Sequence, residues 1–296
     1  LINVIDKTRT SSGSRMLKSY LKRPLLDIKK INTRQSRISE IKKDSSLRGF
    51  VSDILNETFD IERIMSRISS DKTNPRDLIN LKISLGNINK LKKVIKKSSP
   101  LLYKLKNQFL NTDKVINKIK EIINEESSVN MANGGYIKSG YSKELDKIRK
   151  VVQNSKQWLI DLQTKEQKKT NIPSLKVKYN KVWGYFIEVT KQYESKIPER
   201  YVHRQTTTNA MRFTTQELMD LEREIASSGS LALERELQLF KLITDAVMNI
   251  HGKLMKAAAG LAEFDVFASS ATLAEKKNYV RPELTTGLEF DIQKGR

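Results

Sequence analysis

From Ser12 to about Asn124, apolar residues recur at three- and four-residue spacings between short polar breaks, the period of packed helices rather than strands. Met16, Leu17, Tyr20 and Leu21 form one face of a first helix that Pro24 stops, since proline cannot supply the amide a helix interior needs. Asn32 reads as the N-cap of a helix carrying Ile38 and Ile41, with Arg34, Arg37, Lys42 and Lys43 facing water. Asp60 reads as the cap of Ile61, Ile64, Met65 and Ile68. Asn74-Pro75 opens a longer helix through Leu78, Leu81, Leu85, Ile88 and Leu91, and another runs from about Thr112 to Ile123. Glu125 to Tyr141 breaks the pattern with Gly134-Gly135 and Gly140, which suit positive-φ turns. No Gly-Lys-Ser/Thr follows at the spacing of a phosphate loop.

A second helical stretch runs from Ser142 to about Thr170, with Leu145, Ile148, Val152, Leu159 and Leu162 on one side, and Pro173 ends it. The period then changes to two. Leu175 to Val182 alternates strictly, Gly184 to Thr190 follows as a more apolar strand, Asn180 and Gly184 bracket a turn, and Tyr201 to Phe213 is a further β-prone piece. Thr214 to Glu217 is a cap with an acidic first turn. Leu218, Ile225, Leu233, Leu237, Phe240 and Val247 then recur as a helix that, unbroken to His251, would lie antiparallel to Ser142–Thr170. The two would pack along their length as an arm with a small sheet at its tip, and Ser227 to Ser230 would be its weak point around Gly229. Lys253 to Lys276 is a helix rich in small residues, and Leu288 to Ile292 is expected as one strand. The fold expected is mainly α, a helical bundle with two long antiparallel helices carrying a small inserted antiparallel sheet.

With 38% hydrophobic and 30% charged residues, the chain is too polar for a helical membrane protein and too apolar for general disorder. Zero Cys and two His, His203 and His251, exclude disulfide frameworks, thiolate metal sites and thiol nucleophiles. A net charge of +21 attracts polyanions, and Lys156 to Thr215 carries twelve Lys and Arg against five Asp and Glu. A solvated lysine-rich face is the plain alternative. Glu144 with Asp146, and Glu222 with Glu224, are read as ion-pairing surface acids rather than catalytic pairs.

Several local strings, in order along the whole chain, resemble the central part of the MutS family of DNA mismatch-repair proteins in its bacterial form. Thr8 to Pro24 and Ile31 to Arg34 are similar to the start of that family's helical lever. Gly134-Gly135, Ser139 to Tyr141 and Glu144 to Asp146 match the approach to its first long helix. Gly184 to Val189, Arg204 to Thr206, Asn209 to Phe213 and Glu217-Leu218 match its clamp, while Leu261 to Asp265 and Tyr279 to Pro282 match the lever's return. Gly295-Arg296 falls where the family's ATPase domain begins.

The resemblance implies lever residues 1–155, a clamp at 156–215, returning lever helices at 216–287 and the start of an ATPase domain at 288–296. It implies double-stranded DNA as partner, and a longer parent that is a homodimer, recruits a MutL-type protein, binds ATP and magnesium and works in the cytoplasm on the nucleoid. Without a Walker motif, this chain is expected to hold no cofactor and to be no enzyme by itself. Asn209 and Arg212 match clamp positions that touch the DNA backbone, and an amide and a guanidinium suit phosphate oxygens. Lys176, Lys178, Lys181, Arg200 and Arg204 are further candidates, and Arg212 pairing with a nearby carboxylate such as Glu217 is the competing reading. Thr208 and Met211 depart from the basic and acidic residues common there. Trp183, Tyr185 and Phe186 are expected in the clamp's small core rather than as stacking platforms. The alternative function is a helical scaffold whose basic tip meets RNA or a protein.

Overall fold

The computed structural model describes residues 1–95, 99–106, 109, 111–182 and 184–293, so Trp183 and Gly295-Arg296 lie outside the described residues. In chain order the main elements are α1 (Ile2–Ile5), α2 (Ser11–Lys22), α3 (Ile28–Lys43), α4 (Ser45–Asn56), α5 (Ile61–Ser69), α6 (Pro75–Val94), α7 (Pro100–Lys106) and α8 (Asp113–Ile122). There follow α9 (Lys143–Thr170), β1 (Lys176–Asn180), β2 (Gly184–Thr190), β3 (Val202–Thr206), β4 (Ala210–Thr214), α10 (Gln216–Met248) and α11 (His251–Lys276). The chain divides into two compact units, residues 1–131 with 241–296, and residues 132–240.

The first unit is built around α11. Ala257, Ala258, Leu261, Ala262, Phe264, Val266, Phe267, Ala268 and Ala271 are all buried and occupy every side of this helix, the signature of an interior helix rather than a surface one. Its small residues let α2, α3, α4 and α5 approach closely. Phe264 and Phe267 supply the bulk, each contributing about 1.5–3 kcal/mol through apolar burial. Asp265 is the exception on this helix. Its carboxylate, fully buried, accepts from the Arg9 amide (3.0 Å), the Thr10 amide (2.8 Å) and the Thr10 hydroxyl (2.7 Å) at the start of α2. Burial pushes the Asp265 carboxyl above the usual range, against the pull of those donors. Thr10 in turn caps α2 by accepting from Gly13 N. A Cβ on Gly13 would fall 2.3 Å from the Asp265 carboxylate, so only glycine fits.

α3 starts at Ile28 with Asp27 as its cap, because Asp27 lies just past Pro24 and accepts from both Lys29 and Lys30 amides; Asn32 is already inside the helix. Arg34 and Arg37 do not simply face water. Arg34 stacks 3.5 Å from the Tyr20 ring centroid, and Arg37 pairs with Glu263 at 2.9 Å over Phe267. The caps at Asp60 and Asn74 are as the spacing predicts, the latter a full capping box with Asp77. Leu288 to Ile292 forms no strand: Leu288, Phe290 and Ile292 are exposed, and a strand without a ladder partner has nothing to hold it.

In the second unit, Ser142 caps α9 and Asn171, in the left-handed conformation, ends it before Pro173. The sheet is antiparallel with order β1-β2-β4-β3, so Tyr201 to Phe213 is two strands of a hairpin, not one. One of its faces closes a core of Leu162, Ile172, Leu175, Ile187, Val189, Tyr201, Met211, Phe213 and Leu218. α10 stops at Met248 rather than running on to His251. α9 and α10 do not pack along their length as the apolar stripe suggests. Leu145 and Leu162 are buried, but Val152, Leu233 and Leu237 are exposed, and a depression of about 610 Å³ lies between Arg149, Val152 and Gln153 on α9 and Ile225, Gly229 and Leu233 on α10. The Gly229 stretch leaves too little side chain to fill it.

Gly13 and Gly229 both sit in helices and should respond oppositely to alanine. A Cβ at Gly229 meets nothing within 4 Å, so Gly229→Ala should stabilise by up to ~1 kcal/mol through helix propensity. Gly13→Ala should cost ~1–3 kcal/mol, because the clash with Asp265 outweighs that gain. Urea unfolding of both variants checks this, and equal signs would contradict it.

Candidate nucleic-acid interface

The register places Lys176, Glu188, Arg212 and Gln205 in one row across all four strands. Strand alternation sends this row to the face opposite the apolar core. Glu188 is the centre of the row. Lys178 Nζ lies 2.5 Å from its Oε1 and Arg212 Nε 3.5 Å from its Oε2. The Lys178 hydrogen bond, helped by Arg212, holds the Glu188 carboxyl below its usual range. Arg212 also donates to Gln205 Oε1 at 2.8 Å and stacks 4.6 Å over the buried Phe186 ring. Its carboxylate partner is therefore Glu188, its cross-strand neighbour, and not Glu217, which takes Lys165 at 2.6 Å.

Arg200 is occupied too. Its guanidinium binds Glu166 of α9, a carboxylate only 2% exposed, to which the Tyr201 hydroxyl also donates at 2.7 Å. This pair ties the segment before β3 to α9, and burial raises the Tyr201 hydroxyl above its usual range. Phe186 is buried, but under Arg212 on the face opposite the core cluster, whereas Tyr185 packs against that cluster and lies beside Tyr179.

The remaining candidates are exposed. Lys176 and Lys181 make no ion pair among the described residues. Arg204 stands at the irregularity in β3 between His203 and Gln205, where a bulge turns a side chain out of the ladder, and meets only Met219 Sδ at 3.7 Å. Asn209 is exposed in the β3–β4 turn, which Thr207 closes through Ala210. Lys191 was not among the candidates. Its amide donates to the Asn209 carbonyl at 3.4 Å, and only the Thr190–Ala210 pairing brings these distant residues together, so nothing local in the sequence signals it.

Glycines fix the rest of this unit. Gly184 (φ +71°) turns β1 into β2 against Glu222, which accepts from the Tyr185 amide at 3.2 Å, and a Cβ there would meet the Glu222 carboxylate. The amides of Gly135 and Tyr136 donate to Glu236 at 2.9 and 3.0 Å, and Arg149 binds the same carboxylate at 2.8 Å. Amides that could have cradled a phosphate thus hold the protein's own buried carboxylate. Among the described residues no group of His, Asp and Glu could hold a metal, and no helix is long and apolar enough to cross a membrane.

Comparison with known proteins assigns a family to the chain that folds into these two units. The family model described as MutS domain III matches residues 1–271, and the chain belongs to that family. It is 38% identical over its whole length to a protein of Lachnoclostridium phytofermentans, 39% to one of Methanosarcina acetivorans and 36% to one of Clostridioides difficile, each named DNA mismatch repair protein MutS. The chain covers 32%, 33% and 32% of these proteins, so it spans about a third of the length of the curated relatives it matches.

Glu188 is expected to stabilise the sheet in a pH-dependent way. Its folded value is depressed, so its contribution is full above the ordinary glutamate range and is lost as pH falls through the folded value. Glu188→Gln should cost up to ~1 kcal/mol at neutral pH, the pairs being partly exposed, and the gap from wild type should close on acidification. Urea unfolding across that pH range checks it; a gap independent of pH would sink the assignment.

Proposed function

We propose that this chain is the lever-and-clamp part of a mismatch-repair protein, and that its sheet touches duplex DNA through the phosphate backbone without reading sequence. The observation carrying this is the division among the basic residues of one small unit. Arg200, Lys178 and Arg212 are spent on Glu166 and Glu188, whereas Lys176, Lys181, Arg204 and Asn209 are exposed and held by no carboxylate. Cations with no ion pair among the described residues, and an exposed amide, suit phosphate oxygens, which position a duplex rather than choose its sequence. On this reading Arg200, Lys178 and Arg212 shape the contact surface, and Lys191 joins the contact set beside Asn209.

The rest of the proposal follows from the family. A longer parent would form a homodimer around DNA and meet a MutL-type partner. It would take ATP and magnesium in a domain outside this chain, and contact at the sheet would reach that domain through α9 and α10. The chain itself would turn over no nucleotide.

Titrating the chain with a labelled duplex tests the reading. With two to four phosphate contacts, log K against log salt should fall with a slope of roughly −2 to −4, equally for matched and mismatched duplexes. Replacing Lys176, Lys181 and Arg204 together by Gln should flatten the slope by about two to three with unfolding unchanged. Salt-insensitive binding, or RNA of equal length competing better than duplex DNA, would refute it.

A further inference from the structure

The stretch that carries the sheet is not the most basic part of the chain. Residues 7–48 hold thirteen Lys and Arg against three Asp and Glu, a net +10, whereas Lys156 to Thr215 reaches only +7 over a longer stretch. α2 gathers part of that charge on one face. Arg15, Lys18 and Lys22 are spaced so as to stand above one another, and Arg23 follows as the C-cap. These four, with Ser19, line a depression of about 340 Å³ that has no carboxylate and no apolar side chain in its wall.

Arg15 is already held, with Asp60 and Glu62 each at 2.6 Å. Lys18, Lys22 and Arg23 are exposed and make no ion pair among the described residues. Asp6 feels the charge of Lys18, but its carboxylate is engaged by the hydroxyls of Thr8 and Ser14 at 2.5 and 2.6 Å. A helix C-terminus welcomes cations, which accounts for Lys22 and Arg23 near the last carbonyls. It does not account for Lys18 a turn earlier, or for three neighbouring cations all left without a counter-ion. Other exposed cations also lack an ion pair among the described residues, as Lys176 and Lys181 do, but here three of them share one depression with no carboxylate in its wall.

We propose that this face of α2 is a second phosphate-backbone contact, made by the helical unit and separate from the sheet. The proposal rests on the reading of the chain as a duplex-binding protein. Lys18 and Lys22, four residues apart, are separated by ~6 Å along the helix, about two phosphate steps of one strand at ~3.4 Å each. Arg23 offers a planar fork and Ser19 a hydroxyl to further oxygens. The ion pairs on Arg15 hold it in the wall as a fixed charge. The wall holds no apolar residue and is formed by the methylene stems of basic side chains, whose charged heads favour a polyanion. The exposed Leu26 beyond it makes an anionic membrane the competing outcome.

The test uses the whole chain, a labelled 30-base-pair duplex and vesicles containing phosphatidylserine. With this second contact the wild-type slope should be steeper by about two to three than the sheet contacts alone would give, and K18Q/K22Q/R23Q should remove that increment and weaken binding at low salt. K18R/K22R should leave both unchanged, and urea unfolding should be the same for all. A slope unaltered by K18Q/K22Q/R23Q but flattened by loss of Lys176, Lys181 and Arg204 overturns this proposal and spares the sheet reading. Failure of the wild-type chain to bind duplex at all overturns both. Loss of vesicle binding in K18Q/K22Q/R23Q, with duplex binding intact, assigns the face to membranes instead and also overturns it.

Discussion

A carboxylate removed from water must be repaid in hydrogen bonds by the protein, and in both units that demand decides which distant segments meet. Asp265, Glu236 and Glu166 are each no more than 2% exposed. Asp265 draws the Arg9 and Thr10 amides onto α11 and so fixes where α2 begins. Glu236 draws the Gly135 and Tyr136 amides and Arg149 together, locking the glycine-rich connection and α9 to α10. Glu166 draws Arg200 and Tyr201 onto the far end of α9. In each case the partners come from far along the chain, so a change that frees one acid also unpins a connection.

The same demand sorts the basic residues. A charge count cannot distinguish a lysine that holds a sheet from one that waits for a ligand, because both are written with the same letter. The fold distinguishes them through register. Glu188 faces Arg212 directly across β2 and β4, and Lys178 reaches the same carboxylate from β1, so two of the cations in the most basic strands share one internal partner. What remains available is set by geometry: the irregularity at Arg204, the turn at Asn209 and the edge position of Lys176.

Much of this fold was legible in the sequence because the signals were local. Alternation marked β1 and β2, Asn74 with Asp77 marked a helix start, and Gly184 marked a turn. The errors arose where a residue's partner was remote. Asn32 is a separate, local case: it has a capping residue type, but Asp27, nearer Pro24, takes the cap and leaves Asn32 inside the helix. Arg37 looked like a solvent residue because Glu263 and Phe267 lie on another helix. Val152, Leu233 and Leu237 kept a helical stripe without being buried, since periodicity tells which side of a helix is apolar and not whether a second helix comes close enough to cover it. The candidate interface was legible as a basic segment and as residues matching a family, but Lys191, joined to Asn209 only by strand pairing, was not.

The outer strands of the small sheet are β1 and β3, and each carries cations where another chain would have to add a strand: Lys176 and Lys178 on one side, Arg204 with its break in register on the other. An open edge is an invitation to polymerise, and like charges and a bulge withdraw it. The sheet is therefore self-limiting at four strands, so molecules crowded side by side would repel at these margins instead of zipping together into fibrils.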